Sequence, residues 1–260
     1  MKRVLCLSLV LFFSLMLFAV QDVKAETKVV KMQFFDVSPH VFFDKNNGRV
    51  TGAVYDLIEN YIAKEMGVKF VWDNAAKSVQ RQMEILGKEQ DHASALIVFS
   101  PERSTKVDFT AKPYFIPRPG LGVLNESKLK TVKTVSDLNG FTIGYATNTY
   151  ITPFMKDKSI KFDLVGAPNF IEVSIKKAMA KRVDAAYAPD AVTILFGIKQ
   201  LNLENKFRII YLPEKPAAEH IVFSKNSKEL VAKYNQAFEK LDVQKLYFKL
   251  LSKYVDTSKL

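Results

Sequence analysis

Apolar positions along this chain change period several times, and each change marks an element. Lys28 to Phe35 reads as a first strand, and Val68, Phe70 and Trp72 alternate as a second. Between them Val54, Leu57, Ile58, Tyr61 and Ile62 form one helical stripe that Gly67 is placed to stop. Val79, Met83 and Leu86 share the face of another helix before Gly87. Ala93 to Phe99 is then a seven-residue run, apolar but for Ser94, too short for a globular helix and too continuous for a half-exposed strand. It predicts a strand buried on both faces of a parallel sheet. The order strand, helix, strand, helix, strand implies right-handed parallel crossovers and an α/β fold.

That buried run stops at Ser100-Pro101-Glu102-Arg103. The proline disfavours a continued ladder and a helical residue before it, which places Arg103 on a loop at the carboxyl end of the strand. Ligands of open α/β sheets bind at such ends. An arginine there offers a planar fork of donors to a carboxylate or phosphate; the alternative is a solvated arginine pairing with Glu102 or Asp108.

The remaining pattern repeats this construction. Phe115-Ile116-Pro117-Arg118-Pro119-Gly120 cannot continue a central strand and reads as a crossover. Strands follow at Gly120 to Leu124 and Phe141 to Tyr145, the latter leading to Thr147-Asn148-Thr149-Tyr150, after which a helix is expected to aim its N–H groups into the cleft. Lys161 to Val165 is strand-like, Ile171, Ser174, Ile175, Ala178 and Met179 share a helical face, and Val183 to Ala188 is a strand of small residues ending at Pro189-Asp190. Asp190 can serve a ligand or cap the helix that begins at Ala191. Phe207 to Leu212 and His220 to Phe223 are strands separated by Pro213 and Pro216, and two amphipathic helices finish the chain. Two crossings predict two lobes on a hinge: residues 26–116 with 217–260, and residues 117–216.

Composition narrows the chemistry. Lys2 and Arg3 precede an apolar run from Val4 to Val20 and a polar stretch ending at Ala25, the form of a cleaved secretory signal over residues 1–25; an uncleaved anchor is the alternative. The one cysteine, Cys6, falls inside that signal, which excludes disulfides and thiolate sites from the rest. Lys2, Arg3, Lys24 and Asp22 leave with the signal, so a net charge of +11 becomes +9. The lysines are dispersed, without basic-aromatic interleaving, which argues against nucleic acid. His40, His92 and His220 lack metal-ligand spacing, and no nucleophile elbow, phosphate loop or zinc-helix motif occurs. No catalytic residue, metal or cofactor is expected. Asp56 and Asp184 are assigned to the fold.

With the order of elements in place, the chain resembles the family 3 extracellular solute-binding proteins of bacterial ABC transporters. The resemblance is carried by Gly52-Ala53-Val54-Tyr55-Asp56-Leu57, Ile62 to Val68, Ser100-Pro101-Glu102-Arg103, Val107 to Tyr114, Ser136-Asp137-Leu138-Asn139-Gly140 with Ile143-Gly144, and Val183-Asp184-Ala185-Ala186. It implies a two-lobed periplasmic binding protein fold of type II, with a small carboxylate-bearing solute, an amino acid or related organic acid, enclosed between the lobes. It also implies a periplasmic monomer and a membrane permease as partner. A sensory protein presenting its closed form to a receptor, or a lyase or cell-wall hydrolase on the same scaffold, are the alternatives. Arg103 matches the carboxylate anchor, and Thr149, with its neighbour Tyr150, the opposing second-lobe position. Ser94 and Ser100 are the polar candidates beside the apolar run, and Ser38 lies on the loop after the first strand. The acid expected to hold a ligand ammonium falls at Pro189, one residue short of Asp190, which weakens the case for α-amino recognition.

Overall fold

The computed structural model describes residues 27–44, 46–147, 150–166 and 169–260. The expected signal and Thr149 lie outside the described residues. In the first lobe, β1 (Val29–Gln33) runs parallel to β4 (Lys69–Trp72) and to β5 (His92–Val98), pairing Val30 with Phe70 and Met32 with Ala93. A hairpin of β2 (Phe42–Asp44) and β3 (Arg49–Thr51) precedes α1 (Ala53–Leu57), which continues through a π-helical turn (Ile58–Ile62) into α2 (Ala63–Met66). Val54, Leu57, Ile58 and Ile62 are fully buried along the stripe their spacing predicts. Burial of each such side chain contributes about 1.5–3 kcal/mol. Helix α3 (Val79–Lys88) runs through Gly87 and is capped by the Ser78 hydroxyl, which accepts from the Arg81 N–H.

The sheet is completed by β12 (Glu219–Ser224) and β6 (Val107–Phe109), in the order β4-β1-β5-β12-β6. β5 is buried on both faces, as its apolar run predicts. Ala93 and Ala95 face the core shared with α7 (Lys228–Leu241) and α8 (Val243–Leu251), while Ile97 joins Met83, Leu86, Val107 and Val222 on the other side. One feature departs from a plain ladder. Leu96 adopts φ 60, and the pairing of β12 with β5 shifts register between His220 and Val222. A left-handed leucine within a strand is strained, and such bulges re-aim the residues that follow, here Val98 and the turn towards Arg103.

The second lobe has the sheet order β11-β7-β10-β8-β9, formed by β7 (Gly120–Leu124), β8 (Thr142–Ala146), β9 (Lys161–Val165), β10 (Ala185–Ala188) and β11 (Phe207–Tyr211). Helices α5 (Phe170–Met179) and α6 (Ala191–Gln200) cover one face through Ile171, Ile175, Ile194 and Ile198, and Tyr145, Tyr187 and Met155 pack on the other. Asp184 accepts from the Thr142 N–H at 2.7 Å and Asp56 pairs with Lys253 at 2.7 Å, both as structural acids. The two crossing segments are bonded to each other: the Glu219 N–H donates to the Phe115 carbonyl at 2.8 Å, and the Leu212 N–H to the Pro119 carbonyl at 3.0 Å. The result is the two-lobed α/β fold with two hinge crossings that the sequence predicts.

Candidate functional site

Beyond the carboxyl ends of β1, β5, β8 and β10 the two lobes meet: His40, after β1, reaches Asp190, after β10, and the charge of Arg103, after β5, acts on Tyr150, after β8. Arg103 sits there, on a helix and not on the expected loop. Ser100 is extended, its hydroxyl accepts from the Arg103 N–H at 3.2 Å, and Pro101 occupies the first turn of α4 (Pro101–Lys106). Proline at the first helical position loses no hydrogen bond, so the residue that ends β5 also starts a helix. The Arg103 side chain folds back, with Nη1 donating to the Val98 carbonyl at 2.8 Å. Among the described residues no carboxylate lies within ion-pair distance of it, since Glu102 pairs with Lys106 at 2.8 Å. A fixed guanidinium with spare donors is an anion site.

Tyr150 approaches from the second lobe and is 43% exposed. Its backbone carbonyl accepts from the Tyr145 hydroxyl. Burial and the nearby Glu214 carboxylate push the Tyr150 phenol up, while Arg103 acts to lower it, so the arginine and the tyrosine lie within electrostatic range of each other. Glu214, in the second crossing, holds this segment: its Oε1 accepts from the Thr152 hydroxyl at 2.5 Å and its Oε2 from the Phe154 N–H at 3.2 Å. Thr152 meets the Tyr187 hydroxyl at 2.9 Å, and burial keeps that phenol protonated. The helix expected after Tyr150 is only a three-residue 3-10 turn, Phe154–Lys156, and its first N–H goes to Glu214. It therefore aims no dipole into the cleft.

Two other expected ligand residues are engaged elsewhere. Ser94 is fully buried and donates to Gln82 Oε1 at 2.5 Å, which fixes α3 against β5. Its strand position points it to that helix instead of the cleft. Asp190 caps α6, with Oδ1 accepting from the Val192 N–H at 3.0 Å, and its Oδ2 lies 2.5 Å from His40 Nε2 in the other lobe. His40 Nδ1 is 2.5 Å from the Tyr247 hydroxyl. Burial, with Glu219 and Asp190 close by, holds the Tyr247 proton in place. The His40 ring thus bridges the Tyr247 hydroxyl and the Asp190 carboxylate. Glu219 completes this buried group: burial and the Asp190 charge push its carboxyl well above the usual range, and Oε2 has no hydrogen-bond partner.

Ser38 lies on the turn that presents His40. The Pro39 and His40 carbonyls of that turn accept from the Ala53 and Val54 N–H groups at the start of α1, at 3.0 and 2.7 Å. Sequence reasoning gives no role to Phe99, which is 53% exposed and stacks edge-on against Phe109 at 5.1 Å. Its place at the end of an apolar run hides it as a strand residue. A separate hollow of about 500 Å³ lies between α6, β11 and Val255, and none of the expected ligand residues line it.

The profile of the bacterial extracellular solute-binding proteins, family 3, matches residues 35–257. The chain belongs to that family. Among curated proteins none matches. Solved structures with the same fold include an ancestral cationic amino acid solute-binding protein, 21% identical, with a TM-score of 0.70 over 90% of this chain and 97% of that one. An ancestral arginine-binding protein bound to arginine is 24% identical, with a TM-score of 0.66 over 87% and 97% of the two chains. The periplasmic VFT2 domain of Bordetella pertussis BvgS is 15% identical, with a TM-score of 0.67 over 87% and 93%. This family member is an extracellular solute-binding protein.

Proposed function

We propose that this solute-binding protein captures a small carboxylate-bearing solute in the periplasm and hands it to the permease of an ABC transporter. It acts as a monomer whose lobes, residues 26–116 with 217–260 and residues 117–216, close on the solute. Arg103 takes the carboxylate through its free guanidinium donors. Ser100 sets the arginine's helix, Tyr150 approaches from the second lobe, Ser38 lies on the turn after β1, and Thr149 belongs to the set by its match to the family position. Ser94 and Asp190 stand outside this set because each is spent on protein contacts. The observation that carries the reading is Arg103 itself: a guanidinium anchored on the Val98 carbonyl and without an ion pair among the described residues. Calorimetry with carboxylate solutes tests it. Binding by the natural protein and its loss in Arg103→Ala, with unchanged folding, is the expected result; equal affinity in the two would refute it.

A further inference from the structure

We infer that Glu214 is a positioning residue of the solute site: reaching from the second crossing, it fixes the segment that carries Tyr150 and so sets where Tyr150 stands relative to Arg103. The inference rests on the reading of Arg103 and Tyr150 as solute-binding residues and deepens it. The segment needs such a support. From Tyr150 to Thr152 the backbone is neither helix nor strand, so no ladder or helical turn holds it.

Side chains hold it instead. Two of them stand on the sheet of the second lobe: the Tyr145 hydroxyl on β8 donates to the Tyr150 carbonyl, and the Tyr187 hydroxyl on β10 accepts from the Thr152 N–H at 3.2 Å. The third is Glu214, whose Oε1 accepts from the Thr152 hydroxyl at 2.5 Å and Oε2 from the Phe154 N–H at 3.2 Å. Tyr187 also meets Thr152 Oγ1 at 2.9 Å, so the Thr152 hydroxyl joins β10 to the carboxylate. Thr152 is buried, and without its acceptor the network is left with an unmatched group. Glu214 differs from the two tyrosines in where it stands. They belong to the core of the second lobe and move with its sheet. Glu214 lies on the crossing, between Leu212, whose N–H donates to the Pro119 carbonyl, and Glu219, whose N–H donates to the Phe115 carbonyl. A turn of one lobe on the other changes the backbone of the crossings. The carboxylate passes that change to Thr152 and on to Tyr150.

The test reads the position of Tyr150 without a solute. In the whole protein Tyr150 is replaced by 3-nitrotyrosine, whose phenol ionises nearer neutral pH and with its own visible absorbance. The Arg103 charge favours the phenolate, so Arg103→Gln at low ionic strength is expected to lower the ionisation constant by about three-fold or more. Glu214→Gln cannot accept from both donors, and Thr152→Val removes one of them while keeping the Glu214 charge. In each of these backgrounds Arg103→Gln is expected to change the constant by less than about 1.5-fold, and in Thr152→Ser, which keeps the hydroxyl, by the original factor. The effect is a difference within one background, so the charge lost in Glu214→Gln cancels. Where Thr152→Val does not fold, Glu214→Gln decides. An Arg103 effect of the original size in Glu214→Gln, even with a lowered unfolding midpoint, assigns Glu214 to stability alone and overturns the inference, as does failure of Thr152→Ser to retain the effect. An effect below about 1.5-fold in the natural background means that Arg103 and Tyr150 share no site and overturns the pairing as well. Calorimetry of Arg103→Ala with carboxylate solutes decides the underlying reading separately.

Discussion

His40 and Asp190 join the two lobes directly, Nε2 to Oδ2 at 2.5 Å, with His40 only 1% exposed and backed by Tyr247. One partner comes from the loop after β1 and the other from the start of α6, so the pair holds the lobes together independently of any solute. Asp190→Asn keeps a side-chain oxygen for the helix cap but removes the charged acceptor. It is expected to destabilise the protein by about 1.5–3 kcal/mol and to increase the radius of gyration of the solute-free protein in X-ray scattering. His40→Phe should act in the same direction, and the double variant should cost less than the sum of the two, by at least about 0.5 kcal/mol. Strict additivity in thermal unfolding would show that the pair does not couple the lobes.

Glu219 makes stability depend on pH. Its carboxyl is raised well above the ordinary value by burial and by Asp190, so the folded protein holds this proton more tightly than the unfolded chain does. The stabilising contribution is therefore complete below the unfolded value of about 4.3 and is lost as pH rises towards the folded value. Glu219→Gln removes this dependence. At pH 8 the variant is expected to be more stable than the natural protein by on the order of 1–3 kcal/mol, and the advantage should shrink towards pH 4. Denaturant unfolding at the two pH values measures it. An advantage that grows on acidification would contradict the assignment.

How far the sequence reaches is clear from these same residues. The strands, the α1 to α2 stripe and the two crossings are legible because they rest on local periodicity and on proline placement. Arg103 and Asp190 are legible as charged residues just past strands that proline terminates. What each charge meets is another matter. His40 lies 150 residues from Asp190, and only the packing of one lobe on the other brings them together. The same holds for Glu214, which reaches back across the lobe to Thr152, 62 residues away. The helix at Arg103 is a different kind of omission: Ser100-Pro101 is a local start signal, a cap followed by a proline in the first turn, concealed by the proline's other role as a strand breaker.

Ser94 separates packing from binding. Its hydroxyl donates to Gln82 Oε1 in a site closed to solvent, so Ser94→Ala leaves a buried acceptor unpaired. The expected cost is about 1–3 kcal/mol of stability, with solute affinity in calorimetry within two-fold of the natural protein. A large loss of affinity at unchanged stability would return Ser94 to the cleft.

Gly52 is the residue on which the His40 turn depends. It sits at φ 122, and a Cβ built there would lie 2.4 Å from the His40 carbonyl oxygen and 2.8 Å from that of Pro39. Those carbonyls hold the first N–H groups of α1, so they cannot withdraw without losing two hydrogen bonds. Gly52→Ala must therefore either strain the backbone or displace the turn that carries His40 to Asp190. The variant is expected to lose about 2–4 kcal/mol in denaturant unfolding and to show the same scattering change as Asp190→Asn. Adding Gly52→Ala to Asp190→Asn should then produce little further opening, because the latch is already lost. If the two changes open the protein additively, the turn does not act through His40.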